Sequence, residues 1–121
     1  LRVHRYLNQQ LGSEGRVVLV GDAEPFDLEM QVYYNSCFDD SILADWLFGQ
    51  SPQRQLVILS DNKIDFVYVS WEELDRYQAS YGYDERVNRG WINELVENGL
   101  LVEDRDVEIL TNQGQLFRVA N

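Results

Sequence analysis

Apolar residues recur at helical spacing over the first eleven positions, where Val3, Tyr6, Leu7 and Leu11 share one face, and Gly12 and Gly15 then interrupt the pattern. The period changes at Arg16–Val20, a short unbroken run rich in β-branched residues, as expected of a strand covered on both faces. Gly21 and Asp22 end it. A polar connection over 23–29 contains Pro25 and leads to a second β-rich run, Met30–Tyr34, which stops at Asn35 and Ser36. Asp39, Asp40 and Ser41 are N-cap candidates for a helix carrying Ile42, Leu43, Trp46 and Leu47 up to Gly49. Ser51 and Pro52 open a further helix to about Asn62, and these two helices form the crossover to a third strand, Ile64–Val69. Ser70, with Glu73 three residues on, reads as a capping box for a helix over Trp71–Ser80. Beyond a loop over 82–90 comes a short amphipathic helix, Trp91–Asn98, closed by Gly99. Three β-type runs finish the chain: Leu100–Glu103, Val107–Thr111 and Gln115–Val119, the last two joined through Asn112 and Gly114 as a hairpin.

Strands interleaved with helices predict an α/β fold: a three-layer, Rossmann-like sheet, mainly parallel, with a C-terminal antiparallel hairpin. At 121 residues, with no repeat and no linker, the whole of 1–121 is expected to be a single α/β domain.

Charge narrows the partners. Against 21 Asp and Glu stand only 10 Lys and Arg, a formal charge of -11, which repels phosphate backbones and excludes nucleic acid from the expected partners. No run approaches the roughly 18–20 apolar residues that cross a bilayer, so the chain reads as soluble. It opens on Leu1 with a helical pattern already under way, as expected of a piece excised from a longer protein. Cys37 is alone, which excludes an intrachain disulfide and suggests a small buried hydrophobe. The one histidine, His4, lies beside Arg2 and Arg5 and far in sequence from any acidic cluster, so it is read as a surface residue.

In an open parallel sheet, ligands bind beyond the carboxyl ends of the strands. That rule selects Asp22 with Gly21 and Glu24 after the first strand, Asn35, Asp39 and Asp40 after the second, and Trp71 with Ser70 and Glu72 after the third. Asp22, Asn35, Asp39, Asp40 and Trp71 are the ligand-binding candidates, because carboxylates and an amide bind sugar hydroxyls or a hard cation and an indole stacks on a pyranose face. Helix capping explains Asp39 and Asp40 without any ligand and is the preferred reading of that pair. No catalytic residue and no metal ligand is assigned. The chain has no glycine-rich phosphate loop, no nucleophile elbow and no His/Cys cluster, and no cofactor is expected. An acid pair such as Asp22 with Asp40 suits glycosidase chemistry, but 21 acids bring some pair together by chance. Most aromatic residues are expected in the core, with Tyr77, Tyr81 and Tyr83 packing their loop onto the domain.

The ordered series Val17–Phe26, Val32–Asp40, Ile64–Glu73 and Arg76–Tyr83 resembles the soluble C-terminal region of polytopic bacterial membrane glycosyltransferases, the dolichyl-phosphate-mannose-protein mannosyltransferase-like group, especially its planctomycete-type members. The likeness runs from about Leu7 to about Leu101 and rests on strand and loop patterns: a strand ending in Gly-Asp, an aromatic-Asn-x-x-Phe-Asp segment, and an Ile-x-x-Val-x-Val strand before a Trp-containing helix. It implies a non-catalytic accessory domain on the extracytoplasmic side of a bacterial membrane, joined to the membrane-embedded portion of its parent protein and positioning a glycan or protein acceptor or stabilising the enzyme. Catalysis in such proteins belongs to the membrane part. Two other expectations stand beside this one: a stand-alone carbohydrate- or ligand-binding domain using the acidic crevice, and a protein-interaction module whose acidic face meets a basic partner.

Overall fold

The two strongest β-type runs of the sequence lie side by side at the centre of the computed structural model, which describes residues 2–110 and 112–120. In chain order the elements are α1 (Arg2–Leu11), β1 (Arg16–Val20), β2 (Gln31–Tyr33), α2 (Ile42–Leu47), α3 (Pro52–Asp61), β3 (Phe66–Val69), α4 (Trp71–Gln78), α5 (Arg89–Glu97), β4 (Leu101–Glu103) and β5 (Gln115–Val119). They form a mixed α/β fold around one five-stranded sheet of order β2-β1-β3-β5-β4. β1 pairs in parallel with β2 and β3, while β5 runs antiparallel to both β3 and β4. The sheet is therefore mixed, parallel through β2, β1 and β3 and antiparallel at the C-terminal strands, with β5 running opposite to the other four.

Strict alternation along the central strands divides the core. Val17 and Leu19 of β1, Phe66 and Tyr68 of β3 and Leu116 of β5 join Val3 and Leu7 of α1 in one buried cluster. Val18, Val20, Val67, Val69 and Phe117, pointing the other way, join Leu43 and Leu47 of α2, Leu59 of α3, Leu74 of α4 and Trp91, Ile92 and Leu95 of α5. Both sides of β1 and β3 are thus apolar, which is why these runs read as unbroken rather than alternating.

The helices begin where short polar side chains satisfy free amides. Ser41 Oγ accepts from Ala44 N at 3.2 Å, Ser51 Oγ from Arg54 N at 3.2 Å, Ser70 Oγ from Glu73 N at 3.4 Å and Asn88 Oδ1 from Trp91 N at 2.9 Å. Of the three N-cap candidates for α2 it is Ser41 that caps the helix, and Asp39 and Asp40 do not. The capping box at Ser70 is only half formed. Ser70 N continues the β1–β3 ladder by donating to Val20 O at 2.8 Å, and the Glu73 carboxylate pairs with Arg76 instead.

The expected C-terminal hairpin is corrected. Residues 107–110 form no strand, and Thr111 lies outside the described residues. Both edges of β5 are already occupied, by β3 and by β4, so no edge remains for a strand at 107–110. Val107 is instead buried beside α1, and Gln113 N and Gly114 N turn back onto Leu110 O. Gly114 is needed for space, because a Cβ there would lie 2.6 Å from the Tyr68 hydroxyl and 2.8 Å from Val69 O. Two smaller expectations also change. Cys37 is half-buried against the larger cluster rather than fully inside, and Tyr81, expected to pack its loop onto the domain, is exposed.

Candidate functional site

The carboxyl ends of the parallel strands are brought together by a close backbone approach. Gly21 follows β1 with φ +89°, and a Cβ at that position would lie 2.8 Å from Ser70 O at the end of β3. Only glycine both adopts this conformation without strain and leaves room for the neighbouring strand end. The Gly21 amide donates to the Tyr83 hydroxyl at 3.3 Å, and that oxygen also accepts from Asn35 Nδ2 at 3.1 Å. Tyr83 therefore ties the end of β1 to the loop after β2. Burial foremost keeps its hydroxyl pKa raised.

Each candidate residue has a definite place here. Asn35 is committed to loop structure: its Nδ2 also reaches Ser36 O at 2.9 Å, and its Oδ1 accepts from Ile42 N at 3.3 Å. Asp39 accepts from Ser36 Oγ at 2.8 Å on an exposed turn, and Asp40 is exposed. Trp71 is buried in the larger cluster, where its Nε1 donates to Gln115 Oε1 at 2.9 Å and the Arg89 guanidinium covers the ring at 4.4 Å from the centroid. Of the five, only Asp22 lines a cleft at the strand ends, a space of about 270 Å³ shared with Glu24, Tyr68, Glu72, Arg76 and Tyr77. The Tyr68 hydroxyl is pushed up to about 12, by burial first and by the charge of Asp22 second. A larger hollow of about 810 Å³ lies between Arg2 of α1 and the segment from Glu103 to Leu116, and Asp22 is not among its lining residues.

The decisive correction concerns His4. Far from being a surface residue, it is 2% exposed, with each ring nitrogen on a carboxylate. Nε2 donates to Asp22 Oδ2 at 2.7 Å and Nδ1 to Asp27 Oδ1 at 2.5 Å. The other oxygen of Asp22 accepts from Glu24 N at 2.9 Å, which bends the chain after Gly21. Burial by itself pulls the His4 pKa down, but the hydrogen bonds and charges of Asp22 and Asp27 outweigh it, and the net shift is upward. For Asp27, partial burial pushes the pKa up, and the bond and charge of His4 bring it below the ordinary carboxylate value. The two carboxylates thus favour the charged imidazolium over the neutral ring. Its role left a trace in the sequence: position 4 lies within the apolar stripe formed by positions 3, 7 and 11, where an exposed side chain does not belong.

A second cluster was missed altogether. Arg86 Nη2 meets Asp84 Oδ2 and Asp45 Oδ1, both at 2.7 Å, and Asp84 Oδ2 also accepts from Ser41 N at 2.9 Å. The Arg86 hydrogen bond foremost holds the Asp84 carboxyl down at about 2. The spacing Asp84-x-Arg86, in which a loop aspartate accepts from the amide two residues on, is a sequence signal for this turn.

Apolar side chains frame the same end. Phe38 and Tyr81 are 76% and 74% exposed and lie in contact, with ring centroids 5.4 Å apart. Tyr77 stacks on Tyr83 at 6.2 Å. Among the described residues no group of three or more His, Cys, Asp or Glu side chains is arranged to hold a metal ion, and no helix is long and apolar enough to cross a membrane. The chain matches no protein-family model, no curated protein and no solved structure.

Proposed function

We propose that this chain is a non-catalytic accessory domain, Rossmann-like and three-layered in outline, that serves a membrane glycosyltransferase on the extracytoplasmic side and docks against its membrane-embedded portion or its acceptor. The observation that supports this most is a contrast at one end of the sheet. Two of the polar ligand-binding candidates, Asp22 and Asn35, are bonded inward to His4, Tyr83 and the main chain, whereas the Phe38–Tyr81 pair stands together in solvent. Paired exposed aromatics are suited to stacking on a sugar or packing on a protein surface. The sequence resemblance supplies the glycosyltransferase context.

The test is made in the native gene product. Replacing Phe38 and Tyr81 together by Ala is expected to leave the domain's melting temperature nearly unchanged and to lower glycosyl transfer. Unchanged transfer, or a native product without membrane spans, overturns the reading.

A second reading is favoured by the convergence of Asp22, Glu24, Glu72 and Tyr77 on the small cleft: a self-contained site for a carbohydrate or other polyol ligand. A thermal-shift screen against monosaccharides, oligosaccharides, nucleotide sugars and divalent cations separates the two. A shift lost in Glu72→Gln supports the cleft, and no shift with any of them leaves docking as the function.

A further inference from the structure

We propose that Phe38 and Tyr81, with Asp39 and Asp40, form a seat for an arginine side chain carried on a basic segment of a protein partner. A partner of this chemistry deepens the docking role proposed above and rests on it. The molecule itself supplies the pattern. Three arginines each cover an aromatic face: Arg76 over Tyr77 at 5.2 Å from the ring centroid, Arg86 over Phe48 at 5.9 Å and Arg89 over Trp71 at 4.4 Å. The first two also pair with carboxylates, Arg76 with Glu73 and Arg86 with Asp84 and Asp45. A planar guanidinium serves both neighbours at once, because its face is attracted by the ring while its edge donates to the carboxylate. At Phe38 and Tyr81 the rings and the carboxylates are present, but among the described residues no cation covers either ring and neither Asp39 nor Asp40 forms an ion pair.

The seat is held in shape before anything binds. Phe38 and Tyr81 lie on two loops that are braced to each other twice: Asn35 Nδ2 donates to the Tyr83 hydroxyl at 3.1 Å, and Ser41 N donates to Asp84 Oδ2 at 2.9 Å. Within the first loop, Phe38 N donates to Ser36 Oγ at 3.2 Å and Asp39 N to Ser36 O at 3.3 Å. In the second, Gly82 has φ +88° and its amide donates to Tyr77 O at 2.6 Å, a turn that leaves Tyr83 buried and Tyr81 outside. Little ordering cost therefore remains for a partner that binds there. Phe26 is more exposed still, at 87%, yet it has no ring partner among the described residues.

Charge selects the occupant. The two stretches that carry these loops, 36–41 and 71–86, contain seven carboxylates and two arginines, and both arginines are already paired. Asp39 and Asp40 are exposed and follow Phe38 directly, so their Cα atoms lie within about 8 Å of its own. Such a face repels an anionic membrane surface, and a neutral sugar gains nothing from its net charge. A basic segment is drawn in by the field and then held by ring and carboxylate together.

The test is NMR of the isotopically labelled chain with a capped peptide of alternating arginine and glycine, the matching glutamate peptide, and neutral oligosaccharides. The expected result is saturable shifts of the Phe38 and Tyr81 rings with the arginine peptide, weakening as salt rises, and none with the glutamate peptide. Replacing Phe38 and Tyr81 together by Ala changes no charge and is expected to weaken binding of the arginine peptide about tenfold. Asp39→Asn with Asp40→Asn is expected to weaken it with the rings intact. Should the first variant not fold, the second and the location of the shifts decide. Binding that survives loss of both rings is attraction to the overall negative charge alone and overturns the proposal. Ring shifts with an oligosaccharide and not with the arginine peptide also overturn it, and leave the docking role standing with a glycan as the occupant. No ring shift with any probe overturns it too, and the docking role is then judged separately by glycosyl transfer in the native gene product.

Discussion

Among the described residues, one cation lies between two aspartates at each of two loops. After β1, His4 of α1 sits between Asp22 and Asp27; before α5, Arg86 sits between Asp84 and Asp45 of α2. In both, one aspartate is almost inaccessible and bends its own loop by accepting from the amide two residues on, Glu24 in the first case and Arg86 in the second. The other aspartate is about half exposed, 57% for Asp27 and 51% for Asp45. The difference is the cation. A guanidinium keeps its charge at every accessible pH, whereas an imidazolium does not. The geometry of fastening is thus the same at both loops, and only the one at His4 loses its cation as the pH rises through the folded-state pKa of that ring.

Linkage gives each cluster its own pH window. Asp84 is lowered to about 2, so its contribution is present above the ordinary carboxylate pKa and is lost as the pH falls through about 2. His4 is raised, so its contribution is present below about 6.5, the unfolded value, and is lost as the pH rises through its folded value. Asp27, being lowered, adds a contribution that fades on the acid side. Between mildly acid pH and the unfolded His4 value both fastenings are intact.

Four substitutions break or sharpen this comparison, in order of expected size. Asp22→Ala leaves a buried imidazole with one remaining carboxylate and is expected to cost about 3–5 kcal/mol in chemical denaturation. Asp84→Ala removes the partner of both Arg86 and the Ser41 amide and is expected to cost about 2–3 kcal/mol. Measured at neutral and at alkaline pH, that second loss is expected to be the same, because no group in the Arg86 cluster changes its charge there. Asp27→Asn, at a half-exposed position, is expected to cost about 0.5–1 kcal/mol at neutral pH and less at alkaline pH, where the wild-type bond to His4 is already weakened. Asp40→Ala is expected to stay within about 0.5 kcal/mol, since Ser41 and not Asp40 caps α2.

What was legible in the sequence was whatever depends on neighbours along the chain. β1 was read to the residue, and Ser41, Ser51 and Ser70 were recognisable as helix starts because an N-cap acts on amides two or three positions away. Pairing partners were less visible. The β-type run at 107–111 has the composition of a strand, but whether it becomes one depends on a free edge, and β4 had taken that edge. The candidate site fared similarly. The carboxyl-end rule singled out Asp22 and Asn35, but it could not show that Asp22 meets His4 eighteen residues earlier or that Asn35 meets Tyr83 forty-eight residues later. Three aspartates share the turn-plus-partner pattern, Asp22 with Glu24 N, Asp84 with Arg86 N and Asp104 with Asp106 N. The turn is local and readable in principle, whereas the distant partners, such as the Tyr6 hydroxyl on Asp104 at 2.8 Å, are set by the fold alone.

The contrast between the two clusters is tested most directly by the free energy of unfolding in urea, measured on the wild-type chain at a series of pH values from mildly acid to alkaline. Stability is expected to fall as the pH rises through the folded-state pKa of His4, with a smaller fall in Asp27→Asn and an undiminished one in Asp84→Ala. A profile that is flat through this range, or a fall of the same size in Asp27→Asn as in the wild type, would contradict a charged His4 holding the loop.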